Sequence, residues 1–363
     1  MNFIKRYWKL HLWLFCDLVV LGFFYLYRGN RAVMNALSRF VTQPLKETLG
    51  FLCSFTTVSV AEVMYVGLAG LIVLLLGVGA RKLWESHEKR RTLYRMVSGT
   101  VAVALTIYTA LCLLWGVNYQ IDSFQDRSGV HARPASVEEL GDLTACFASE
   151  LNALADQVPR DENGDFAATR ADIFAAATSI YEGSYDEFPC LRHTDRTPKA
   201  FVHSRLLSIM GFTGSYFPFT GETYLNVDFP ATFLPAIIVH ELGHQRGIAS
   251  EQECNFLAVV VAMNSDDPVY RYSGALYGYT YLGNALSWAD PERWAAILHT
   301  LPEAAIHDIV EYNHYWDQFK TPTEEAIKEV SHSTYDSFLK NYGVEEGMKS
   351  YGMVVDLLIA YYL

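Results

Sequence analysis

The chain has 363 residues, of which 51% are hydrophobic, and its 28 basic and 40 acidic side chains give a net charge of −12. Residues 1–117 hold 13 basic and 5 acidic side chains, a net of +8, so the remaining 15 basic and 35 acidic side chains give −20. Because so acidic a surface repels phosphate backbones, we expect no nucleic-acid partner.

Three apolar stretches occur before residue 118, at about 10–27, 58–80 and 96–115. Each approaches the roughly 20 residues that a helix needs to cross the core of a bilayer. A secretory signal peptide is the alternative for the first stretch, but bulky residues stand at 25–28, where a cleavage site needs small ones. We therefore predict three transmembrane helices in a membrane domain of residues 1–117.

Basic residues predict the orientation of this domain. The loop between the second and third stretches has six basic residues between Arg81 and Arg95, and the first nine residues hold three more. Positively charged flanks stay in the cytoplasm, whereas the basic residues of the first loop are spread more thinly. We expect a multi-pass protein of the cell membrane in which residues 118–363 form an extracytoplasmic domain.

Two features of the sequence leave alternatives open. Asp17 and Glu62 lie within apolar stretches, where a carboxyl group either pairs to help helices associate or serves a function. The six cysteines contain no CxxC pair and no zinc-ribbon spacing. Cys146 and Cys190 can therefore form a disulfide or remain free thiols.

Local patterns predict the first elements of the external domain. Ser136 and Glu139 form a capping box that begins a helix reaching about residue 154, and a second helix is expected over 167–181. The segment 216–226 is rich in aromatic and β-branched residues, interrupted by proline and glycine. This composition indicates a short strand and a turn.

The most informative motif is His240-Glu241-Leu242-Gly243-His244, which follows an apolar run over 233–239. Positions four apart share one face of a helix, so the two imidazoles can offer nitrogens to the same metal ion. Glu241, between them, can hold a water molecule and take its proton. Two imidazoles, one further carboxylate and an open fourth position are typical of a hydrolytic zinc site.

The third ligand requires the chain to turn. On a straight helix Glu251 would lie about 10 Å beyond His244 along the axis, which is too far to share a metal ion. Gly247 tolerates the positive φ that ends many helices, and Ser250 with Glu253 forms a capping box that begins a second helix. The capping box commits Glu253 to backbone N–H groups. Glu251 is therefore the favoured ligand, and Glu253 is the alternative.

The segment Glu251-Gln252-Glu253-Cys254-Asn255 resembles the E-x-x-x-D/N element of gluzincin metallopeptidases, in which the first glutamate is the third zinc ligand. In those enzymes this ligand usually lies much further downstream. Asn255, one helical turn beyond Glu251, is positioned to support a ligand histidine through a hydrogen bond.

Nearly the whole chain also resembles a bacterial membrane family known as domain of unknown function 3810. That family pairs N-terminal membrane helices with an H-E-x-x-H-Q-x-G-x-x-x-E-x-E-x-N core. Further matching segments are 59–65, 116–119, 216–222 and 350–352. The resemblance implies a zinc peptidase-like fold without indicating a substrate.

We therefore predict an α-rich α+β protein: three N-terminal transmembrane helices, then a mostly helical, zincin-like extracytoplasmic domain with a small edge sheet. The expected activity is peptide-bond hydrolysis with one zinc ion per chain, bound by His240, His244 and Glu251. Glu241 would take the proton of the attacking water and pass it to the leaving amine. The expected partners are a peptide or protein substrate at the cell envelope and the lipid bilayer.

Contacts to the substrate are predicted less sharply. Tyr224 and Asn226 lie on the expected edge strand, which in zincin-like proteases can hold an extended peptide. Core packing and turn formation are the alternative roles of these two residues. Tyr277, His314 and Tyr351 are candidates for stabilising the oxyanion.

Two other functions are compatible with parts of the sequence. A catalytically inactive zincin-like protein would act as a binding or regulatory module with a structural metal, although the intact base and the open fourth position argue against it. Cleavage inside the membrane requires the motif on a spanning helix. Asp228 and Pro235 interrupt the apolar run before the motif, and Gln245 and Arg246 follow it, which disfavours that location.

Overall fold

The structure, a computed structural model, describes residues 6–342 and 354–363. It is 71% helical with one small three-stranded sheet, which confirms the α-rich prediction. The α-helices are α1 (Trp8–Tyr27), α2 (Arg31–Leu37), α3 (Gln43–Cys53), α4 (Val60–Glu85), α5 (Lys89–Leu114), α6 (Phe124–Ser128), α7 (Val137–Leu154), α8 (Arg170–Ala176), α9 (Ser204–Met210), α10 (Leu234–Gln245), α11 (Glu251–Met263), α12 (Pro268–Ala289), α13 (Pro291–Leu298), α14 (Glu303–Asp317), α15 (Pro322–Asn341) and α16 (Val354–Tyr362). The strands are β1 (Lys199–Ala200), β2 (Gly214–Phe217) and β3 (Glu222–Leu225).

The chain divides into two compact units, residues 1–121 with 218–221 and residues 122–217 with 222–363. In the first unit, α1, α4 and α5 are long and apolar enough to cross a membrane, as predicted. The first loop is more ordered than the sequence indicates, because α2, a π-helical turn and α3 occupy it. α4 and α5 also extend beyond the apolar stretches into the basic residues that flank them.

Polar side chains join α1 to α5 within the first unit. Thr106 donates a hydrogen bond of 2.7 Å to Asp17 Oδ2 and accepts one of 2.7 Å from Trp13 Nε1. His11 Nε2 and the Tyr94 hydroxyl lie 2.7 Å apart. Because ionisable groups at membrane depth are costly unless they are paired, these contacts support helix association as the role of Asp17.

The core of the second unit is built around α10 and α11. Every residue of α10 is buried, as are all residues of α11 except Met263. A helix that is enclosed on all sides is apolar on most of its surface, which explains the runs of aliphatic residues in both helices. α12 packs on α7 and on α11, and α16 covers another part of α11. The histidine motif therefore lies inside the unit.

The two predicted helices of this unit have different outcomes. The capping box of Ser136 and Glu139 begins α7, which ends at Leu154 as expected. The second helix is shorter than predicted, because α8 ends at Ala176 and turns follow. Ser179 donates its side-chain hydrogen bond to the Ala176 carbonyl, and such local bonds compete with continuation of a helix.

The sheet places β3 between the other two strands. β3 runs parallel to β1, with Tyr224 opposite Lys199, and antiparallel to β2, with Tyr224 opposite Ser215. The predicted strand and turn are this β2–β3 hairpin, in which Gly221 has a φ of 66°. β2 is an edge strand among the described strands.

A buried ion pair joins the segment after α7 to α14. Arg160 donates two parallel hydrogen bonds to the carboxylate of Asp308, at 2.6 and 2.7 Å. The Tyr272 hydroxyl on α12 donates to the same carboxylate at 2.6 Å. Asp308 is completely buried, so its charge is balanced by these contacts.

Cys146 and Cys190 do not form the disulfide that the sequence allowed. Cys146 is exposed and Cys190 is half-buried, and neither forms a disulfide. Of the two alternatives left open by the sequence, the structure has the unpaired thiols.

Candidate metal centre

The histidine motif lies on α10, whose sequence suits a short buried helix. Pro235 stands in its first turn, where backbone N–H groups have no partner within the helix. His240 and His244 lie on one face, as their spacing predicts, and their ring centroids are 4.9 Å apart. Both imidazoles therefore point to the same side of the helix.

The chain reverses direction directly after α10. Gly247 has a φ of 83°, which a residue with a side chain rarely adopts. Its N–H donates to the His244 carbonyl at 2.9 Å, and the Ile248 N–H donates to the Gly243 carbonyl at 3.2 Å. This pair of bonds is a Schellman motif, which ends a helix. Ser250 then caps α11 by accepting a hydrogen bond from the Glu253 N–H, as predicted.

The reversal brings Glu251 back to the two histidines. Glu251 Oε2 lies 3.1 Å from His240 Nε2 and 3.5 Å from His244 Nε2, and the three ligand atoms lie within 4.8 Å of one another. All three residues are buried. Two imidazole nitrogens and one carboxylate oxygen are ligands that zinc takes in proteins. These residues fit a single metal ion.

The protonation of the cluster follows from its contacts. His244 Nδ1 lies 2.8 Å from the Ile248 carbonyl oxygen, and since a carbonyl oxygen only accepts, Nδ1 carries a proton and Nε2 is the nitrogen that faces Glu251. Burial lowers the pKa of His244, but Cys254 and Glu251 outweigh burial and raise that pKa well above its usual range, so a metal ion must displace a proton from Nε2. Burial raises the pKa of Glu251, but the imidazoles of His244 and His240 outweigh burial and hold that pKa well below its usual range. The carboxylate is therefore ionised, as a metal ligand must be.

Glu241 lies beside the cluster, and one of its carboxylate oxygens makes no hydrogen bond to the described residues. Its Oε2 has no hydrogen-bond partner among the described residues, and the same holds for His240 Nδ1. Burial raises the pKa of Glu241, against the opposing attraction of His240 and His244. A carboxylate with a raised pKa accepts a proton more readily near neutral pH than an ordinary glutamate does.

Strand β2 passes directly over this carboxylate. A Cβ atom added at Gly214 would lie 2.9 Å from Glu241 Oε1 and 3.0 Å from its Cγ. Contacts this short force a shift, so only a glycine allows the strand to approach Glu241 so closely. The edge strand and the motif helix therefore meet at the residue that is the candidate base.

Glu253 points away from the cluster. Its two carboxylate oxygens accept hydrogen bonds from the backbone N–H groups of Phe124 and Gln125, at 3.1 and 3.0 Å. The sequence predicts that backbone N–H groups of α11 hold the Glu253 carboxylate. The N–H groups that hold it instead lie at the start of α6. Of the two candidate glutamates, the structure brings Glu251 together with the histidines.

The predicted supporting residue Asn255 is completely buried. Its Oδ1 accepts a hydrogen bond of 2.9 Å from the Tyr277 hydroxyl, which also lies 3.2 Å from the Tyr281 hydroxyl. These contacts bring Asn255 together with another predicted site residue, Tyr277, and not with a ligand histidine.

The remaining predicted contacts are more dispersed. Tyr224 is buried and packs on Phe201, with 4.9 Å between the ring centroids. Asn226 is completely buried, and its amide donates to Ser208 and to a backbone carbonyl. His314 is exposed on α14 and lines a surface cleft. Tyr351 lies outside the described residues.

Sequence reasoning missed Tyr335, which lies on α15 and donates a hydrogen bond to Glu251 Oε1. No local pattern relates these positions, because 84 residues separate them. It also missed Arg246, whose guanidinium lies 3.4 Å from the Tyr181 ring centroid and donates to Asp195 at 2.7 Å. The contacts of Arg246 hold the C-terminal end of α10 in place. In the sequence, they are indicated only by the presence of a charged residue within an apolar region.

Comparison with known proteins gives one relationship. No curated protein and no solved structure matches the chain significantly. A family model matches residues 37–359, which include both motif helices and most of the first unit. The chain therefore belongs to the family described as protein of unknown function DUF3810.

Proposed function

We propose that this protein is a membrane-anchored zinc metallopeptidase of the gluzincin type, which hydrolyses peptide bonds. The observation that carries the proposal is the approach of His240, His244 and Glu251 ligand atoms within 4.8 Å of one another. Next to them, Glu241 has an oxygen without a hydrogen-bond partner among the described residues. A ligand set beside an uncommitted buried carboxylate is what metal-assisted hydrolysis requires.

The residues of the site would have different roles in hydrolysis. A bound zinc ion supplies Lewis acidity, which lowers the pKa of water and polarises a carbonyl group. His240, His244 and Glu251 would hold the ion. Glu241 accepts the proton of the attacking water on its carboxylate and returns it to the leaving amine.

The edge strand supports a peptide as the substrate. β2 approaches Glu241 at Gly214, and an extended chain can pair with an exposed strand edge through backbone hydrogen bonds. A peptide bound along β2 would bring its backbone carbonyls close to the base. This arrangement favours a peptide over a substrate that lacks a regular backbone.

We also propose a place for the reaction. The three apolar helices suit a multi-pass membrane protein, and the basic residues between Arg81 and Arg95 favour a cytoplasmic loop there. Residues 118–363 would then face the outside, where a peptide or protein of the cell envelope is the substrate. The net charge of −20 on this part disfavours nucleic acid as a partner.

The alternative is an inactive module that binds a partner and keeps a structural metal. The burial of Glu241, His240, His244 and Glu251, each at most 8% exposed, favours it, because a structural metal site has no need of an entrance. The two functions differ in what they require of Glu241. Only the peptidase requires it.

The deciding experiment uses the purified full chain and a library of internally quenched peptides. We expect Glu241→Gln to keep about one zinc per chain and to lose about two to four orders of magnitude in rate, because only the proton acceptor is removed. The double variant His240→Ala, His244→Ala should lose the zinc itself. Glu150→Gln, at a partly exposed position on α7, is the matched control.

Unchanged hydrolysis in Glu241→Gln would show that the proposed mechanism is wrong. Zinc bound normally, with no hydrolysis by the wild-type protein across the library, would favour the binding module. Normal zinc content in the double histidine variant would remove the ligand assignment.

A further inference from the structure

Helix α15 is held by little buried surface. Among its 20 residues, Leu339 is the buried one. Phe212, next to α9, contacts two residues of the helix, with ring centroids 6.2 Å from His332 and 6.4 Å from Tyr335. An element with few buried apolar contacts opens locally at a small cost in free energy.

Tyr335 reaches from this helix to the metal centre. Its hydroxyl donates a hydrogen bond to Glu251 Oε1, while Glu251 Oε2 faces the Nε2 atoms of His240 and His244 at 3.1 and 3.5 Å. The two carboxylate oxygens therefore have different partners. A donor fixed on one oxygen orients the other towards the position of the metal.

The centre is closed in this arrangement. Glu241 and Glu251 are each 4% exposed, so an extended peptide reaches them only after a covering element moves. β2 covers Glu241 at Gly214, but every residue of this strand is paired with β3. α15 has one buried residue, so lifting it disrupts much less packing than moving β2 does.

We propose that Tyr335 is a positioning residue for the third metal ligand and that α15 is the cover of the centre. The inference rests on the zinc site of the proposed function. While α15 is docked, Tyr335 holds Glu251 in the orientation that binds metal. Coupling of this kind is reciprocal, so metal binding must strengthen the docking of α15 by the same factor.

The first test measures zinc affinity by competition with a chromophoric chelator. Tyr335→Phe removes only the hydroxyl and keeps the ring that contacts Phe212. We expect zinc to bind about 10- to 100-fold more weakly, as is usual when a group that orients a ligand is lost. The matched control is Tyr361→Phe, since that hydroxyl also donates to a carboxylate, that of Glu187 at 2.9 Å.

The second test measures hydrogen exchange of the α15 amides with and without zinc. In the wild-type protein, zinc should slow exchange in residues 322–341. This protection should be reduced in Tyr335→Phe. A tyrosine that merely packs on the surface would leave the response to zinc unchanged.

A variant distant from the ligand tests the coupling from the other side. Leu339→Ala removes the buried side chain of α15 and keeps the Tyr335 and Glu251 side chains, so zinc should again bind more weakly. Ile327→Ala, at an exposed position of the same helix, should behave as the wild type. This arm remains informative even if Tyr335→Phe alters the protein in some other way.

The outcomes separate this inference from the proposed function. If zinc affinity and the exchange response of Tyr335→Phe and Leu339→Ala equal those of the wild type, the inference is wrong and the peptidase proposal stands. If both variants behave as expected but the wild-type protein cleaves no peptide, the inference stands and the function falls. A wild-type protein that binds no zinc overturns both.

Discussion

Gly214 is the residue whose identity the centre constrains most tightly. Its place beside Glu241 leaves no room for a side chain, because a Cβ would lie 3.1 Å from the carboxyl carbon of Glu241. The glutamate can relieve such a contact only by moving. The orientation of the candidate base therefore depends on a strand residue that has no chemistry of its own.

The substitution Gly214→Ala tests this dependence. We expect it to displace the Glu241 carboxylate and to lower the rate of peptide hydrolysis by about 100-fold, since a shift of roughly 1 Å has costs of this order. Zinc content should stay at the wild-type value, because Gly214 touches no ligand. Ser215→Ala, the next residue of the strand, is the control. A loss of zinc in Gly214→Ala would contradict the assigned contact.

At this scale, the sequence predicts what is local. His240 and His244 are one helical turn apart, and Gly247 and Ser250 mark the turn that returns Glu251, so spacing alone predicts the cluster. Tyr335 could not be found, because its contact depends on how α15 packs in three dimensions. The hydrogen-bond partners of the Glu253 carboxylate could not be predicted either, since they lie on a segment about 130 residues earlier in the chain.

Among the elements, one charge pair joins α12 and α14 to the segment that follows α7. Asp308→Ala would leave the Arg160 guanidinium without its carboxylate. The loss of one member of a fully buried pair costs about 3–5 kcal/mol, and the partial exposure of Arg160 puts the expected cost at or below about 3 kcal/mol. We expect a decrease of this size in the free energy of unfolding, measured with denaturant. Asp317→Ala is the control, because its pair with Lys320 is exposed and such pairs contribute about 0–1 kcal/mol. Equal effects of the two variants would contradict the prediction.

Helix α3 carries a buried lysine that makes stability depend on pH. Lys46 is 2% exposed, and burial lowers its pKa to about 7, against the opposing effect of Glu47. In the unfolded chain the pKa is about 10.4, so between about pH 7 and 10 the unfolded state binds more protons than the folded state. Stability must therefore rise with pH in this window, by at most about 1.4 kcal/mol per pH unit.

Replacing this lysine tests the expectation. Lys46→Met should abolish most of the increase in the free energy of unfolding between pH 7.5 and pH 9.5. Lys320→Met, at an exposed position, should retain it. A slope that is the same in both variants would show that another group titrates.

Element boundaries were predicted where side chains mark them. The capping boxes at Ser136 and Ser250 and the apolar stretches of α1, α4 and α5 identify those elements in the sequence. The helices between α1 and α4 were not predicted, since they are short, at 7 and 11 residues. The predicted end of α8 lay too far along the chain. The hydrogen bond from the Ser179 hydroxyl to the Ala176 carbonyl competes with the helix, but a serine alone is a weak signal for a helix end in a sequence.

For the molecule as a whole, the unequal distribution of charge predicts the topology. A reporter fused at Gly164 should be active outside the cytoplasm, and one fused at Glu88, between α4 and α5, should be active inside. The measurement compares a periplasmic reporter enzyme with a cytoplasmic one at each position. The reverse pattern would put the histidine motif in the cytoplasm and exclude a cell-envelope substrate.

The packing of α16 on α11 has a consequence for the order of folding. Tyr361 stacks edge-on against Phe256, with 5.5 Å between the ring centroids, and the buried residues of α16 include Leu357 and Leu358. A contact that spans about a hundred residues forms late, because closing so long a loop costs conformational entropy before the contact stabilises the fold. During synthesis on the ribosome, one apolar side of α11 therefore remains exposed until residues 354–362 have been made. A nascent chain that already contains the histidines and Glu251 therefore still exposes one apolar side of the helix that carries this glutamate.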